Sequence, residues 1–144
     1  MDLSRESHSG QLNRRVGWVV FLIGIMAGMV MGMWSFDGPV TAPAALADYS
    51  SLPRRLTRLA HIAAMALGMM NILYGIELPR VRLSQGTKKL GAWSMVIAAT
   101  LMPSALTLAA FVNPDWKYLL PIPATASLVG VLLVVIGISR SEAT

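Results

Sequence analysis

The chain contains no cysteine. That excludes a disulfide framework, a cysteine nucleophile, iron–sulfur ligation and thiolate zinc sites. It is also poor in charge: only 13% of its 144 residues are Asp, Glu, Lys or Arg, against about 25% in soluble domains. A glycine-rich phosphate loop and a metalloprotease-type histidine pair are both missing, and no Asp or Glu falls inside a long apolar run. What is present is 55% hydrophobic, with a mean hydropathy of +0.60, and its apolar residues come in blocks. Such a chain belongs in a membrane. The net charge of +5 does not point to nucleic acid, because the basic residues stand at the ends of apolar runs, where topology-setting charges stand. The lipid bilayer is the first partner expected.

Four stretches reach the ~20 apolar residues that cross a roughly 30 Å hydrocarbon layer. The expected spans are 16–34, 59–76, 90–112 and 118–138, joined by a long loop over 35–58. Unbroken apolar runs of this length are helices, since barrel strands alternate in and out. The expected fold is therefore all-α, a polytopic bundle of four transmembrane helices forming one membrane domain. Trp18, Trp34, Tyr74, Trp93, Trp116 and Tyr118 fall near the expected ends, as interfacial aromatic rings do.

Lys and Arg number eight on the side of both termini and four on the other side. The positive-inside rule then puts both termini in the cytoplasm of an inner membrane, with loop 35–58 outside. Arg14-Arg15, an apolar stretch and Ala45-Leu46-Ala47 imitate a secretory signal. The apolar run is of spanning length, however, and too far from Ala47 for cleavage, so it is expected to stay as the first helix.

On that helix Gly24, Gly28 and Gly32 recur every four residues, a smooth face on which another helix can approach closely. Met26, Met29 and Met33 cluster on the opposite face. If the second helix begins near Leu52, then Arg54, Arg58, His61, Met65 and Gly68 share about 80° of its surface. Ala64, Ile72 and Gly75 mark the same face as packed, with Asn71 at its edge. Ser51 and Pro53 read as a helix start. Pro103, flanked by Thr100, Ser104 and Thr107, predicts a kink in the third helix. Pro123, Ser127, Gly130 and Gly137 form a smooth strip on the fourth. Arg54, Arg55 and Arg58 break the positive-inside pattern, so Asp37, Asp48 or lipid phosphates are expected to pair with them. Glu77 is expected to pair with Arg80.

One constellation has the composition of a site. His61 is the only titratable side chain inside the expected spans apart from tyrosine, with Arg54 and Arg58 in line above it. A neutral imidazole ligates haem b iron while arginines hold the propionates; with a quinone, the same imidazole exchanges a proton or a hydrogen bond. A second haem ligand within the chain would be Met29 or Met33. The competing structural role has His61 bonded to a backbone carbonyl or a loop aspartate, in a buried network.

The stretch WSFDGP followed by SLPRRLTRLAHIAAMALGMMN, within Trp34–Asn71, resembles a group of small four-span bacterial membrane proteins of unknown function. The resemblance covers about a quarter of the chain and implies the four-span architecture without an activity, cofactor or site. From the residues themselves, the expected function is that of a non-catalytic subunit or assembly partner of a larger inner-membrane complex, respiratory or otherwise electron-transferring. Its glycine-lined faces (Gly24, Gly28, Gly32, Gly68, Gly75) would dock on other membrane subunits or on further copies of itself. The alternatives are a haem- or quinone-binding redox protein centred on His61, and a small transporter or channel with a polar path through Asn71, Thr100 and Ser104.

Overall fold

The computed structural model describes residues 3–35 and 38–142. Four long helices carry the fold: α1 (Leu3–Gly32), α2 (Leu52–Glu77), α3 (Gln85–Phe111) and α4 (Pro121–Glu142). Short 3-10 helices lie at Ala44–Leu46 and Pro114–Leu119, and no strand occurs among the described residues. All four long helices lie in segments long and apolar enough to cross a membrane.

The helix starts follow local chemistry. Ser51 accepts a bond from the Arg54 amide at 3.4 Å and Ser84 one from Thr87 at 3.3 Å, each satisfying an amide that has no partner in the first turn. Asn113 does the same for Asp115 before the short helix that precedes α4. Glu77 closes α2 with an ion pair to Arg80 at 2.9 Å.

Helix and apolar run differ at several ends. The first apolar run is part of a longer helix, since α1 continues back to Leu3. Neither arginines nor serines stop a helix, so hydropathy marks the lipid slab and not the helix end. α2 starts at Leu52, ahead of its apolar run and where the Ser51–Pro53 start places it, so Arg54, Arg55 and Arg58 lie on helix. Tyr118 belongs to the short helix before α4.

α1 and α2 run antiparallel at very close range. A Cβ added to Gly17 would lie 2.7 Å from the Gly68 carbonyl oxygen, and one on Gly68 would lie 2.7 Å from the Phe21 nitrogen. A Cβ on Gly75 would lie 2.5 Å from the Gly10 oxygen. The facing pairs are Gly10 with Gly75, Gly17 with Gly68 and Gly24 with His61. The contact residues recur every seven positions on both helices, the interval at which one face keeps meeting its neighbour along a gently supercoiled seam. The sequence draws attention to a spacing of four instead. Gly28 lies on this seam against His61, but Gly32 has open space where its Cβ would be.

α3 touches all three other helices, whereas α1 and α4 have no substantial contact. α4 settles on the α2 side of α3. Gly130 admits Met95, and Gly137 admits Val81 and Leu83 of the α2–α3 connection. One apolar cluster, Tyr74, Leu78, Val81, Ala92 and Met95, packs the end of the bundle nearest the termini. Another, Leu56, Ala60, Leu106 and Ala109, packs the opposite end. Tyr74 is thus a core residue, 5% exposed, and not an interfacial ring. A cleft between α1 and α3 stays open.

Gly68→Ala is expected to lower the thermal unfolding midpoint of the detergent-solubilised protein, because a methyl there has only backbone to displace; overpacking of this kind costs about 1–3 kcal/mol. Gly32→Ala should leave the midpoint unchanged. Equal effects of the two would contradict the seven-residue seam.

Candidate functional site: His61, the basic cluster and an asparagine pair

The first turns of α2 hold the long loop in place. Arg54 Nη1 donates to the carbonyls of Leu46 at 2.9 Å and Ala47 at 3.2 Å, so it satisfies the end of the short helix at Ala44–Leu46. Its guanidinium also lies 5.0 Å from the centre of the Tyr49 ring. Arg58, one turn on, lies 4.2 Å from the same ring. Cation–π contacts at exposed positions contribute about 0.5–1 kcal/mol each.

Among the described residues these arginines make carbonyl and ring contacts and no ion pair with Asp48. Asp48 turns to its own neighbour instead, accepting from the Ser50 amide and hydroxyl, both at 2.9 Å. Those bonds, the amide first, together with a smaller contribution from the Arg54 charge, hold its carboxyl below the usual 3.8. Asp37, the other expected partner, lies outside the described residues. Arg55 is exposed.

His61 points into the α1–α2 seam. Its Nδ1 is 2.8 Å from the Gly24 carbonyl oxygen. A carbonyl only accepts, so Nδ1 carries the proton and Nε2 keeps its lone pair in the neutral ring. The ring lies against Gly28, where a Cβ would be 2.6 Å from Cε1. Gly24 likewise makes room for Met65, one turn further along α2. Met29 and Met33 are 69% and 47% exposed, on the outer surface of α1 and not on the glycine face that receives the imidazole. The structure thus joins Arg54 to Arg58 through Tyr49, and His61 to Gly24 and Gly28, without bringing either methionine to the imidazole. Among the described residues no group of three or more His, Asp or Glu side chains is placed to hold a metal ion.

A second polar centre has Asn13 as a member that the apolar pattern does not reveal. Asn13 Nδ2 donates to Asn71 Oδ1 at 2.8 Å and to the Ala92 carbonyl at 3.0 Å. Asn71 Nδ2 in turn donates to the Met95 carbonyl at 2.6 Å. Both asparagines are fully buried, and together they tie α1, α2 and α3 at one level. Both partners of Asn13 Nδ2 are acceptors, which fixes the orientation of that amide. Its Oδ1 and the Tyr74 hydroxyl have no hydrogen-bond partner among the described residues. The available signal was Asn13 lying between Gly10 and Gly17, two seam glycines, but the adjacent Arg14 and Arg15 mark an earlier end to the apolar run.

Thr100 and Ser104, the other members of the expected polar path, face the open α1–α3 cleft. Their hydroxyls donate to the Val96 and Thr100 carbonyls of their own helix, whereas Asn71 is turned into the three-helix junction.

No family model matches the chain, and neither does any curated protein or solved structure.

Either Asn13→Ala or Asn71→Ala should destabilise the protein in detergent, by about 1–3 kcal/mol for a buried group left without its partner. The double variant should cost less than the two singles together, with a coupling of roughly 0.6–1.7 kcal/mol; strict additivity would contradict a direct bond. In the loop, Ser50→Ala should raise the Asp48 titration midpoint, read from its carboxyl carbon shift, because the charged form loses a donor. Since the folded value is depressed, the Asp48–Ser50 contact stabilises the fold above the ordinary carboxylate range and fades as pH falls through that lowered value. An unmoved midpoint would contradict the contact.

Proposed function

We propose that the protein is a non-catalytic subunit or assembly partner of a larger complex in the bacterial inner membrane, a respiratory or other electron-transfer complex, with both termini in the cytoplasm. The observation that carries this reading is how the polar side chains within the spans are used. His61, Asn13 and Asn71 all bond across helices, to a backbone carbonyl or to each other, and the spans contain no carboxylate before Glu77. Polar groups in hydrocarbon are costly and mark function by default, so their commitment to helix contacts favours a packing role.

The docking faces differ from those the glycines first suggest. Gly24, Gly28, Gly68 and Gly75 are filled within the chain, which leaves the apolar outer surfaces of α1 and α4 to meet partner helices. Met26 and Met29 on α1 and Leu128 and Val135 on α4 stand exposed there. The loop held by Arg54, Arg58 and Tyr49 offers a fixed surface on the other side of the membrane from the termini. Orientation is supported by Arg80, Arg82, Lys88 and Lys89 in the α2–α3 region and Arg14 and Arg15 on α1.

One observation favours a second reading, contact with a quinol. A histidine whose Nδ1–H donates to a carbonyl presents Nε2 as an acceptor, and a quinol hydroxyl could donate to it. Haem b fits less well. Met29 and Met33 point away, and propionates would have to displace the carbonyl and ring contacts of Arg54 and Arg58.

Mild extraction into polymer-bounded lipid discs followed by native mass spectrometry tests the subunit reading. The expected result is an assembly containing at least one different chain; a lone 15.5 kDa chain would overturn it. Solvent extraction of the same sample tests the second reading: bound quinone lost in His61→Ala supports it, and its absence from the unaltered protein removes it.

A further inference from the structure

The cleft between α1 and α3 is a groove of about 710 Å³ with Arg15 at one end. Its walls are Val16, Val19 and Ile23 on α1 and Pro103 and Leu108 on α3, and its floor includes Ala64 and Ala99, both buried. The small floor residues make it deep. Three hydroxyls border it, but Thr100, Ser104 and Thr107 each donate to a carbonyl of α3 itself, so the lining offers no free donor between its ends.

Arg15 is the exception. The Asn13 bond to the Ala92 carbonyl aligns α1 with α3, which sets Arg15 level with about Ser94. That is roughly 8 Å further along the bundle than Lys89, at 1.5 Å per residue. Among the described residues the one ion pair is Arg80 with Glu77, so none of the described carboxylates pairs with Arg15 or its neighbour Arg14. Arg15 is exposed at the mouth of this apolar groove, where a cation favours an anionic partner. From Arg15 to Leu108 the groove runs roughly 20 Å, enough for an acyl chain that spans one leaflet of a ~30 Å hydrocarbon layer.

We propose that this groove binds a net-anionic glycerophospholipid from the leaflet on the side of the termini, with its phosphate on Arg15 and one acyl chain lying between α1 and α3. The exposed cation and the apolar trough complement the two halves of that molecule, whereas an apolar partner helix would match the trough alone. A planar guanidinium pairs with phosphate oxygens through two parallel bonds, and Arg14 adds a second positive charge that favours a net-negative headgroup. The site does not depend on the subunit role proposed above.

The test uses the full chain in lipid discs holding equal amounts of phosphatidylglycerol and phosphatidylcholine, with native mass spectrometry reading the lipid that stays bound after release. The expected result is preferential retention of one phosphatidylglycerol per chain. Arg15→Gln should reduce that retention on the order of fivefold, Ser104→Phe should abolish it by filling the groove, and Arg140→Gln should leave it unchanged. Each variant is compared at a matched unfolding midpoint; if Ser104→Phe does not fold, Arg15→Gln decides alone. Equal retention of the two lipids, unaltered retention in Arg15→Gln, or a second polypeptide crosslinked through Ser104 would overturn the proposal.

Discussion

The fold depends on two helices approaching until only hydrogen atoms fit between their backbones. In lipid there is no hydrophobic force between helices, so close van der Waals contact and interhelical hydrogen bonds hold them together. α1 and α2 provide the contact by placing glycines at Gly10, Gly17 and Gly24 against Gly75, Gly68 and the ring of His61. The bond from His61 to the Gly24 carbonyl is a consequence of that approach: with a side chain at position 24 or 28, the imidazole could not reach the backbone of α1. Chemistry and packing meet in the same residue, and packing sets the tautomer.

α3 is locked to this pair by the asparagines and not by glycine. Asn13 and Asn71 each reach a carbonyl of α3, and these bonds sit at one end of the bundle. Further along, α1 and α3 are held apart, and α4 lies on the other side of α3 at Met95 and Val81. The open groove therefore follows from where the polar bonds are and from the side α4 takes. A bundle with α4 between α1 and α3 would have no such trough.

Much of this was legible in the residues. The four spans, the packed face of α2 with His61, Met65 and Gly68, the Ser51 start and the Glu77–Arg80 pair all follow from apolar period, capping and charge. The register was not legible. Gly24, Gly28 and Gly32 form the more conspicuous pattern, but a spacing of seven becomes visible only when two helices are laid side by side, and it reaches back to Gly10, behind two arginines. Asn13 was hidden for the same reason: single-helix hydropathy treats the ground before Arg14 as tail. The partners of Arg54 and Arg58 were hidden differently. An arginine also binds carbonyls and aromatic faces, and the sequence does not say that residues 44–50 present Leu46 and Tyr49 to α2.

The central claim is that His61 is a helix-pairing residue seated on Gly24 and Gly28. Solid-state NMR of isotope-labelled protein in bilayers reads it directly, through close-range correlations from the imidazole. The account predicts cross-peaks to the α-carbons of Gly24 and Gly28, with Nδ1 carrying a proton. Correlations to lipid chains or to the Met29 or Met33 methyl groups, with none to those glycines, would contradict it.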